Sequence, residues 1–199
     1  PGQIVPLLEP FSFEALLGEV VVIVGPSGSG KSCFLQCMSA AWPITDGEIS
    51  LGNREMSKWS DEDRGRFVGY LPQNIELLPG SVAENICRFQ DVPDVEIEAT
   101  AKKLGFHELF MSFPKGYSTQ IGSSGHNFSA GQRQAIGLTR AAFGASRLLL
   151  LDEPTSNLDA MLASRFLAAL SAFRKQGVAM VITTHDARLI PHADRLFST

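Results

Sequence analysis

The chain has 199 residues, of which 44% are hydrophobic and 19% are charged, and its formal net charge is −4. This composition is typical of a folded globular protein and excludes an intrinsically disordered one. The mild acidity argues against non-specific binding to nucleic acid, and three cysteines are too few for a disulfide framework, so we expect a reducing compartment.

The first predicted elements surround a short apolar strand. Phe11 and Phe13 alternate with a polar residue, as in a strand, and lead to a turn at Gly18. Residues 20–24 form a β-branched run bounded by glycines, which is typical of a buried strand. Residues 31–41 then suit a helix.

The middle of the chain is predicted to be helical. Residues 49–51 and 67–71 are weaker strand candidates, and after residue 73 the pattern changes. We expect no strand between residue 73 and about residue 142. The predicted helices there are 81–89, 94–104, 107–113 and 130–143.

The last third of the chain returns to buried strands. Residues 148–151 and 178–183 have the apolar character of parallel strands, and residues 159–176 have apolar side chains three or four apart, as in an amphipathic helix. Strands on both sides of a helical insert predict an α/β core with a mostly helical subdomain. The predicted boundaries are 1–73 and 141–199 for the core and 74–140 for the subdomain.

A glycine-rich loop predicts a nucleotide phosphate site. Residues 25–32 have the spacing G-x-x-x-x-G-K-[ST] between a predicted strand and a predicted helix, the context that identifies a P-loop. Such glycines let the backbone N–H groups face inward, and the helix N-terminus adds a partial positive charge. Lys31 can reach the β- and γ-phosphates, and Ser32 can hold Mg²⁺. The predicted binding residues of the loop are Gly25, Pro26, Ser27, Gly28, Ser29, Gly30, Lys31 and Ser32.

Two carboxylates follow the buried strand 148–151. Asp152 ends this strand and can approach the Mg²⁺ through water, and Glu153 can polarise an attacking water. With the P-loop, they predict a P-loop NTPase with a RecA-like parallel sheet.

At this point the sequence resembles the nucleotide-binding domain of ABC transporters over nearly its whole length. Five further motifs follow the P-loop in the family's order. They are Gln73 after Tyr70-Leu-Pro, the signature Phe128-Ser129-Ala130-Gly131-Gln132 (normally LSGGQ), Asp152-Glu153-Pro154, the D-loop Ser156-Asn157-Leu158-Asp159 and His185. The signature separates ABC proteins from other P-loop ATPases, and it would lie on the helical subdomain.

The resemblance implies an ATPase that uses ATP and Mg²⁺. Glu153 would orient the water, and His185 would contact the γ-phosphate. Mg²⁺ would be held by Ser32, Gln73 and Asp152. The resemblance also implies two chains packed head to tail, so that each ATP site is closed by Ser129, Gly131 and Gln132 of a second copy, with Asp159 in the D-loop.

A finer resemblance is to the ATPases of type I secretion systems. It rests on Trp42-Pro43 and on residues 69–80 and 81–86. It implies a transmembrane domain N-terminal to this chain on a longer polypeptide, at the cytoplasmic face of a bacterial inner membrane. A membrane-fusion adaptor and an outer-membrane channel are the further partners implied, and no nucleic acid is.

Three departures from the family pattern matter. Cys33 stands where many relatives have a second hydroxyl beside the α-phosphate, although we still count it among the nucleotide-binding residues. Ala130 replaces a signature glycine, and its methyl group can crowd a phosphate. The aromatic residue that stacks on adenine in such ATPases is expected before residue 1.

Other interpretations stay open at this stage. The chain could be a soluble ABC-type ATPase acting on nucleic acid or ribosomes, or a nucleotide sensor with little turnover. The short stretch between Gln73 and Ser129 leaves no room for a long coiled coil, and the presence of Glu153 and His185 argues against an inactive site.

Three further features have competing explanations. Residues 61–63 suit a solvated helix start capped by Ser60 better than a metal cluster. Cys33 and Cys37, four residues apart on one helix, are either small packing residues or a redox switch. Residues 119–125 resemble a loop that senses the transmembrane domain, or they form a connector.

Overall fold

A computed structural model describes residues 12–44, 46–122 and 127–198 of the chain. Its centre is a sheet of five parallel strands in the order β4-β7-β8-β1-β9. These strands are β1 (Val20–Val24), β4 (Val68–Leu71), β7 (Leu148–Asp152), β8 (Ala179–Thr184) and β9 (Arg195–Ser198). The carboxyl ends of all five strands meet at one edge of the sheet, where α/β proteins place their ligands.

Helices cover both faces of this sheet. They are α1 (Lys31–Met38), α2 (Asp61–Phe67), α3 (Val82–Ile86), α4 (Asp94–Leu104), α5 (His107–Met111), α6 (Ala130–Ala142) and α7 (Ala160–Lys175). Leu35 of α1 packs on one face, whereas Ile136 of α6 and Phe166 of α7 pack on the other. Because the sheet is buried on both faces, β1, β7 and β8 carry continuous apolar runs instead of alternating ones. The predicted α/β fold class is confirmed, while the division into core and subdomain stays a prediction.

Two short antiparallel ladders accompany the main sheet. Strands β2 (Ser50–Leu51) and β3 (Arg54–Glu55) form a hairpin around Gly52, whose φ is 61°. Strand β5 (Gly80–Ser81) pairs with β6 (Gln120–Ile121), so the prediction of no strand between residues 73 and 142 is wrong. A two-residue strand has no periodicity to detect, and this one forms only because distant segments meet.

The helix α3 is shorter than the predicted 81–89. Arg88 and Phe89 have φ values of 57° and 58°, in the left-handed region, and they end the helix. The Arg88 guanidinium turns back to donate hydrogen bonds to the carbonyl oxygens of Arg140 (2.9 Å) and Ala141 (3.3 Å) at the end of α6. These hydrogen bonds cap the C-terminal end of α6, and no local pattern in the sequence indicates them.

The segment before β1 also differs from its prediction. Residues 12–16 belong to no strand, and Phe13 packs its ring against Phe34 (6.0 Å between centroids) and Phe197 (5.5 Å). Phe11 lies outside the described residues. The predicted turn at Gly18 is present with φ 76°, and a Cβ there would lie 2.7 Å from the Arg174 carbonyl oxygen.

The predicted cap of α2 is confirmed, because Ser60 Oγ accepts a hydrogen bond from Asp63 N at 3.1 Å. In the described ranges, no group of three or more His, Cys, Asp or Glu side chains is arranged to hold a metal ion. No helix in those same ranges is both long and apolar enough to cross a membrane.

Candidate functional site

The P-loop joins β1 to α1 and wraps around the Lys31 ammonium. Gly28 and Gly30 have φ values of 83° and 87°, a conformation that only glycine adopts without strain, and Gly30 is the N-cap of α1. Lys31 is buried, and its Nζ donates to the carbonyl oxygens of Gly25 (2.9 Å) and Pro26 (2.7 Å). The loop thus holds a buried cation at a helix N-terminus, an arrangement that favours anions.

Asp152 lies at the carboxyl end of β7, and only one of its two carboxylate oxygens is hydrogen-bonded. Its Oδ1 accepts from Thr183 Oγ1 at 2.6 Å, whereas its Oδ2 is buried without a hydrogen-bond partner. A buried anionic oxygen without a partner is costly unless a cation or a polarised water meets it. The Asp152 carboxylate at this edge of the sheet therefore fits Mg²⁺. The Ser32 hydroxyl at the start of α1 and the exposed Gln73 just after β4 are the candidate further oxygen ligands.

Glu153 and His185 form a hydrogen-bonded pair beside Asp152. The His185 Nδ1 lies 2.9 Å from Glu153 Oε1, and the histidine side chain is 74% exposed while the glutamate side chain is 9% exposed. The backbone of Glu153 has a φ of 49°, in the left-handed region. This conformation is strained for a residue other than glycine, and such strained residues cluster at functional sites. The carboxylate of Glu153 is thereby aimed out of the sheet edge toward solvent-accessible His185.

Gln134 ties the signature helix to this pair, a role that sequence reasoning missed. Its side chain is buried, and its Nε2 donates to the carbonyl oxygens of Glu153 (3.2 Å) and Pro154 (3.0 Å). Its Oε1 accepts from Asn157 Nδ2 at 3.2 Å. The residue follows the signature by two positions, but the burial of a polar side chain is a tertiary property with no local signal.

The signature residues form the first turn of α6. Ser129 is its N-cap: Ser129 Oγ accepts from Gln132 N (3.2 Å), and Gln132 Oε1 accepts from Ser129 N (2.8 Å). This capping box leaves the Ser129 hydroxyl proton available for another acceptor. A Cβ on Gly131 would lie 2.8 Å from the Asn157 carbonyl oxygen, so the D-loop packs closely against this turn. Ala130, in contrast, is exposed, and its methyl group meets no such constraint inside the chain.

Asp159, predicted as the D-loop aspartate, serves within the chain as the N-cap of α7. Its Oδ1 accepts from Leu162 N at 2.8 Å. Next to His185, Asp186 accepts from Thr155 Oγ1 (2.7 Å) and is bound by the Arg188 guanidinium (2.7 Å). Hydrogen bonds from Arg188 hold the pKa of Asp186 far below its usual range, against the opposing effect of its burial.

The two cysteines of α1, Cys33 and Cys37, are both half-buried free thiols. Burial raises the pKa of the Cys37 thiol, and the neighbouring Cys33 raises it further. A raised pKa lowers the thiolate fraction, so Cys37 is less reactive than an ordinary cysteine. This favours packing over redox switching at Cys37.

Comparison with known proteins identifies the family. A sequence model described as "ABC transporter" matches residues 8–156, well over half of the chain. The chain belongs to the ABC transporter family. It is an ATP-binding domain of that family, and domains of this kind are ATPases.

The relatives of this ABC domain include a secretion-system protein, a sub-family B protein and a solved exporter structure. The type I secretion system ATP-binding protein PrsD of Rhizobium meliloti is 38% identical over 92% of this chain and 32% of its own length. The ATP-binding cassette sub-family B member 6 of Mus musculus is 33% identical over 95% of this chain and 22% of its own length. The structure of a bacterial Atm1-family ABC exporter with ATP bound matches with a TM-score of 0.87 and 26% identity, over 99% of this chain and 35% of that one. The chain therefore spans between 22% and 35% of the length of these relatives.

Proposed function

We propose that this ABC domain is the motor of an exporter and hydrolyses ATP at the edge where Lys31, Asp152 and Glu153 converge. The observation that carries the proposal is the Glu153–His185 pair, 2.9 Å apart, held beside the strand-ending Asp152. A carboxylate at this place can orient a water toward the γ-phosphate, and His185 can contact that phosphate. The neighbouring P-loop supplies the binding residues 25–33, with Lys31 as the cation at the β- and γ-phosphates.

Magnesium is the metal that this site would hold. Ser32, Gln73 and Asp152 would bind it, directly or through water, and the ion would neutralise charge on the phosphates. The unpartnered Asp152 Oδ2 supports this assignment, because a bound cation or its water satisfies the buried oxygen.

The domain works in this proposal as a head-to-tail dimer. Ser129, Gly131 and Gln132 would contact the ATP bound to a second copy of the chain. The helix start they form offers backbone N–H donors and the Ser129 hydroxyl, which suits a phosphate. Asp159, through its cap of α7, would hold the D-loop between the two sites.

The transported material is proposed to be protein, exported by type I secretion. This rests on the 38% identity to PrsD, whereas the other relatives carry the names of different transporters. The transmembrane domain would lie on the same polypeptide, at the cytoplasmic face of a bacterial inner membrane. An adaptor and an outer-membrane channel would then complete the export route.

The motor function is tested by measuring phosphate release from Mg-ATP. Glu153→Gln should lower turnover by about 10²- to 10⁴-fold, because it removes the carboxylate that acts on water. Nucleotide binding should persist, since the P-loop is intact. The exposed Glu62→Gln serves as a control for the loss of one acidic charge and should keep wild-type turnover. Full activity in Glu153→Gln would contradict the proposed mechanism.

A further inference from the structure

Tyr70 lies on the strand next to Asp152 and on the same face of the sheet. In the parallel pairing of β4 with β7, Val68 is opposite Leu148 and Tyr70 is opposite Leu150. Because side chains alternate along a strand, Tyr70 faces the same side as Leu150 and Asp152. This is the side that α1 covers, since Val68, Leu148 and Leu150 pack there with Leu35 of α1.

Two buried side-chain atoms in the described part of the chain lack a hydrogen-bond partner, and they belong to these two neighbours. They are Tyr70 Oη and Asp152 Oδ2. The Gln36 side chain of α1 lies near enough to the tyrosine hydroxyl to lower its pKa, and the Asp152 charge lies near enough to raise it. Burial and this charge raise the pKa of Tyr70 to about 12, so its hydroxyl is protonated at neutral pH. Leaving two such atoms unpaired is costly, and a third group that bonds to both would remove the cost.

We propose that Tyr70 is a positioning residue of the magnesium site, and that its hydroxyl and Asp152 Oδ2 together hold one water of the ion's hydration shell. The inference rests on the proposed function, because it requires a magnesium nucleotide at the P-loop. Mg²⁺ keeps several waters when it binds to proteins, and it makes their protons strong donors. Such a water has one proton for the carboxylate oxygen and one for the phenol oxygen. The phenol proton is then free to turn toward the Gln36 side chain.

This arrangement gives Tyr70 an effect on the metal but little effect on the nucleotide itself. The test is calorimetric binding of ADP to the 199-residue chain, once with excess Mg²⁺ and once with EDTA. Tyr70→Phe keeps the ring and removes only the hydroxyl. The gain in ADP affinity produced by Mg²⁺ should fall about three- to tenfold, as expected for one lost hydrogen bond. The affinity measured in EDTA should stay within about twofold of the wild-type value.

Tyr117→Phe is the matched control. Its hydroxyl is also partly buried, with a pKa raised to about 12, but it bonds to His107 Nδ1 (2.9 Å) on α5. The gain in ADP affinity that Mg²⁺ produces, here called the magnesium gain, should be the same in this variant as in the wild type. A double-mutant cycle adds a second test: with Asp152→Asn already present, Tyr70→Phe should cause no further loss of the magnesium gain.

The outcomes separate this inference from the function on which it rests. An unchanged magnesium gain in Tyr70→Phe would overturn the inference and leave the proposed motor function standing. An equal loss of affinity in Mg²⁺ and in EDTA would assign Tyr70 to packing against α1, which also overturns it. If the wild-type chain itself gained nothing from Mg²⁺, the proposed magnesium site would be wrong, and the inference would fall with it.

Discussion

At the scale of single residues, Lys31 is the buried cation of the P-loop. Its Nζ contacts two loop carbonyl oxygens, at 2.9 and 2.7 Å, and a nucleotide phosphate would draw on the same charge. Lys31→Ala should nearly abolish ATP binding, with a loss of at least about a hundredfold, because charge-assisted bonds are the strongest contacts available here. Calorimetry measures this, with the exposed Lys58→Ala as the control for removing a lysine. Unchanged affinity in Lys31→Ala would contradict the P-loop assignment.

The base of the nucleotide has fewer contacts available than the phosphates. Phe13 packs its ring between Phe34 and Phe197, so it is already engaged in the core. Phosphate contacts do not distinguish bases, and stacking of a base on an aromatic ring is worth about 1–3 kcal/mol. The 199-residue chain should therefore prefer ATP over GTP by less than about a hundredfold. Competition between the two nucleotides measures the ratio, and a larger preference would show that a residue of this chain holds adenine.

The ion pair of Asp186 with Arg188 makes stability depend on pH. The pKa of Asp186 is lowered in the folded chain, so its charged form stabilises the fold above the ordinary aspartate pKa of about 3.9. This contribution is lost as the pH falls toward the lowered value. Asp186→Asn should cost about 1 kcal/mol of unfolding free energy at pH 7, and the difference from wild type should shrink below about pH 4. Urea unfolding between pH 7 and pH 3 measures it. Arg188→Ala should show the same trend with pH. If the difference in unfolding free energy between variant and wild type stayed constant with pH, the stabilising role of the Asp186–Arg188 ion pair would be contradicted.

At the scale of elements, β4 packs tightly against α6 at Gly69. A Cβ on Gly69 would lie 1.9 Å from the Ala141 carbonyl oxygen and 2.7 Å from Leu149 Cδ2. Gly69→Ala should destabilise the fold by more than about 3 kcal/mol, because backbone must move to admit the methyl group. Gly65→Ala on α2 is the matched control, since nothing lies within 4 Å of a Cβ there. It should gain about 0.5–1 kcal/mol from better helix propensity. Equal stabilities of the two variants in chemical denaturation would show that α6 does not lie this close to β4.

The elements that the sequence predicted well are those with strong local patterns. The strands β1, β7 and β8 each contain an apolar run of at least four residues, and the P-loop has fixed spacing between a strand and a helix. In contrast, β9 is largely exposed at the sheet edge, and its residues have no apolar run to reveal it. The ladder of β5 with β6 and the Arg88 hydrogen bonds that cap α6 depend on segments far apart in sequence.

The same division holds within the candidate site. Lys31, Asp152 and Glu153 follow from motifs whose chemistry is readable in the sequence. The contributions of Gln134 and Tyr70 do not, because they arise from what each side chain meets after folding. Only the register of β4 on β7 places Tyr70 on the same face as Asp152, opposite Leu150 on the adjacent strand, and no local pattern contains that register.

At the scale of the whole molecule, the position of the signature decides how two copies would assemble. Ser129 and Gly131 begin α6, whose first turn packs on the D-loop of its own chain rather than forming part of the P-loop. The signature donors are thus available to a phosphate held by another copy. Through Gln134, the same helix is hydrogen-bonded to the backbone of Glu153. In the proposed dimer, closure of one site would therefore act on the Glu153 of the other.

A dimer that depends on ATP follows from this arrangement. In Glu153→Gln, Mg-ATP should bind without being consumed, and its γ-phosphate should bridge Lys31 and His185 of one chain to Ser129 and Gly131 of the other. Two such sites add their contacts across a closed symmetric interface. The variant should therefore shift from monomer to dimer with Mg-ATP but not with Mg-ADP, which lacks the bridging phosphate.

Sedimentation at graded protein concentrations tests this assembly, with high concentrations included because only the ATPase domain is present. Adding Ser129→Arg should abolish the shift, since the exposed Ser129 would then place a bulky side chain at the nucleotide of the other copy. Lys115→Arg, which changes an exposed residue outside the signature, is the matched control and should dimerise like Glu153→Gln alone. If Glu153→Gln binds Mg-ATP at saturation yet stays monomeric at every concentration, the shared site is wrong for this chain. Hydrolysis would then have to be completed within one copy, by Glu153 and His185 alone.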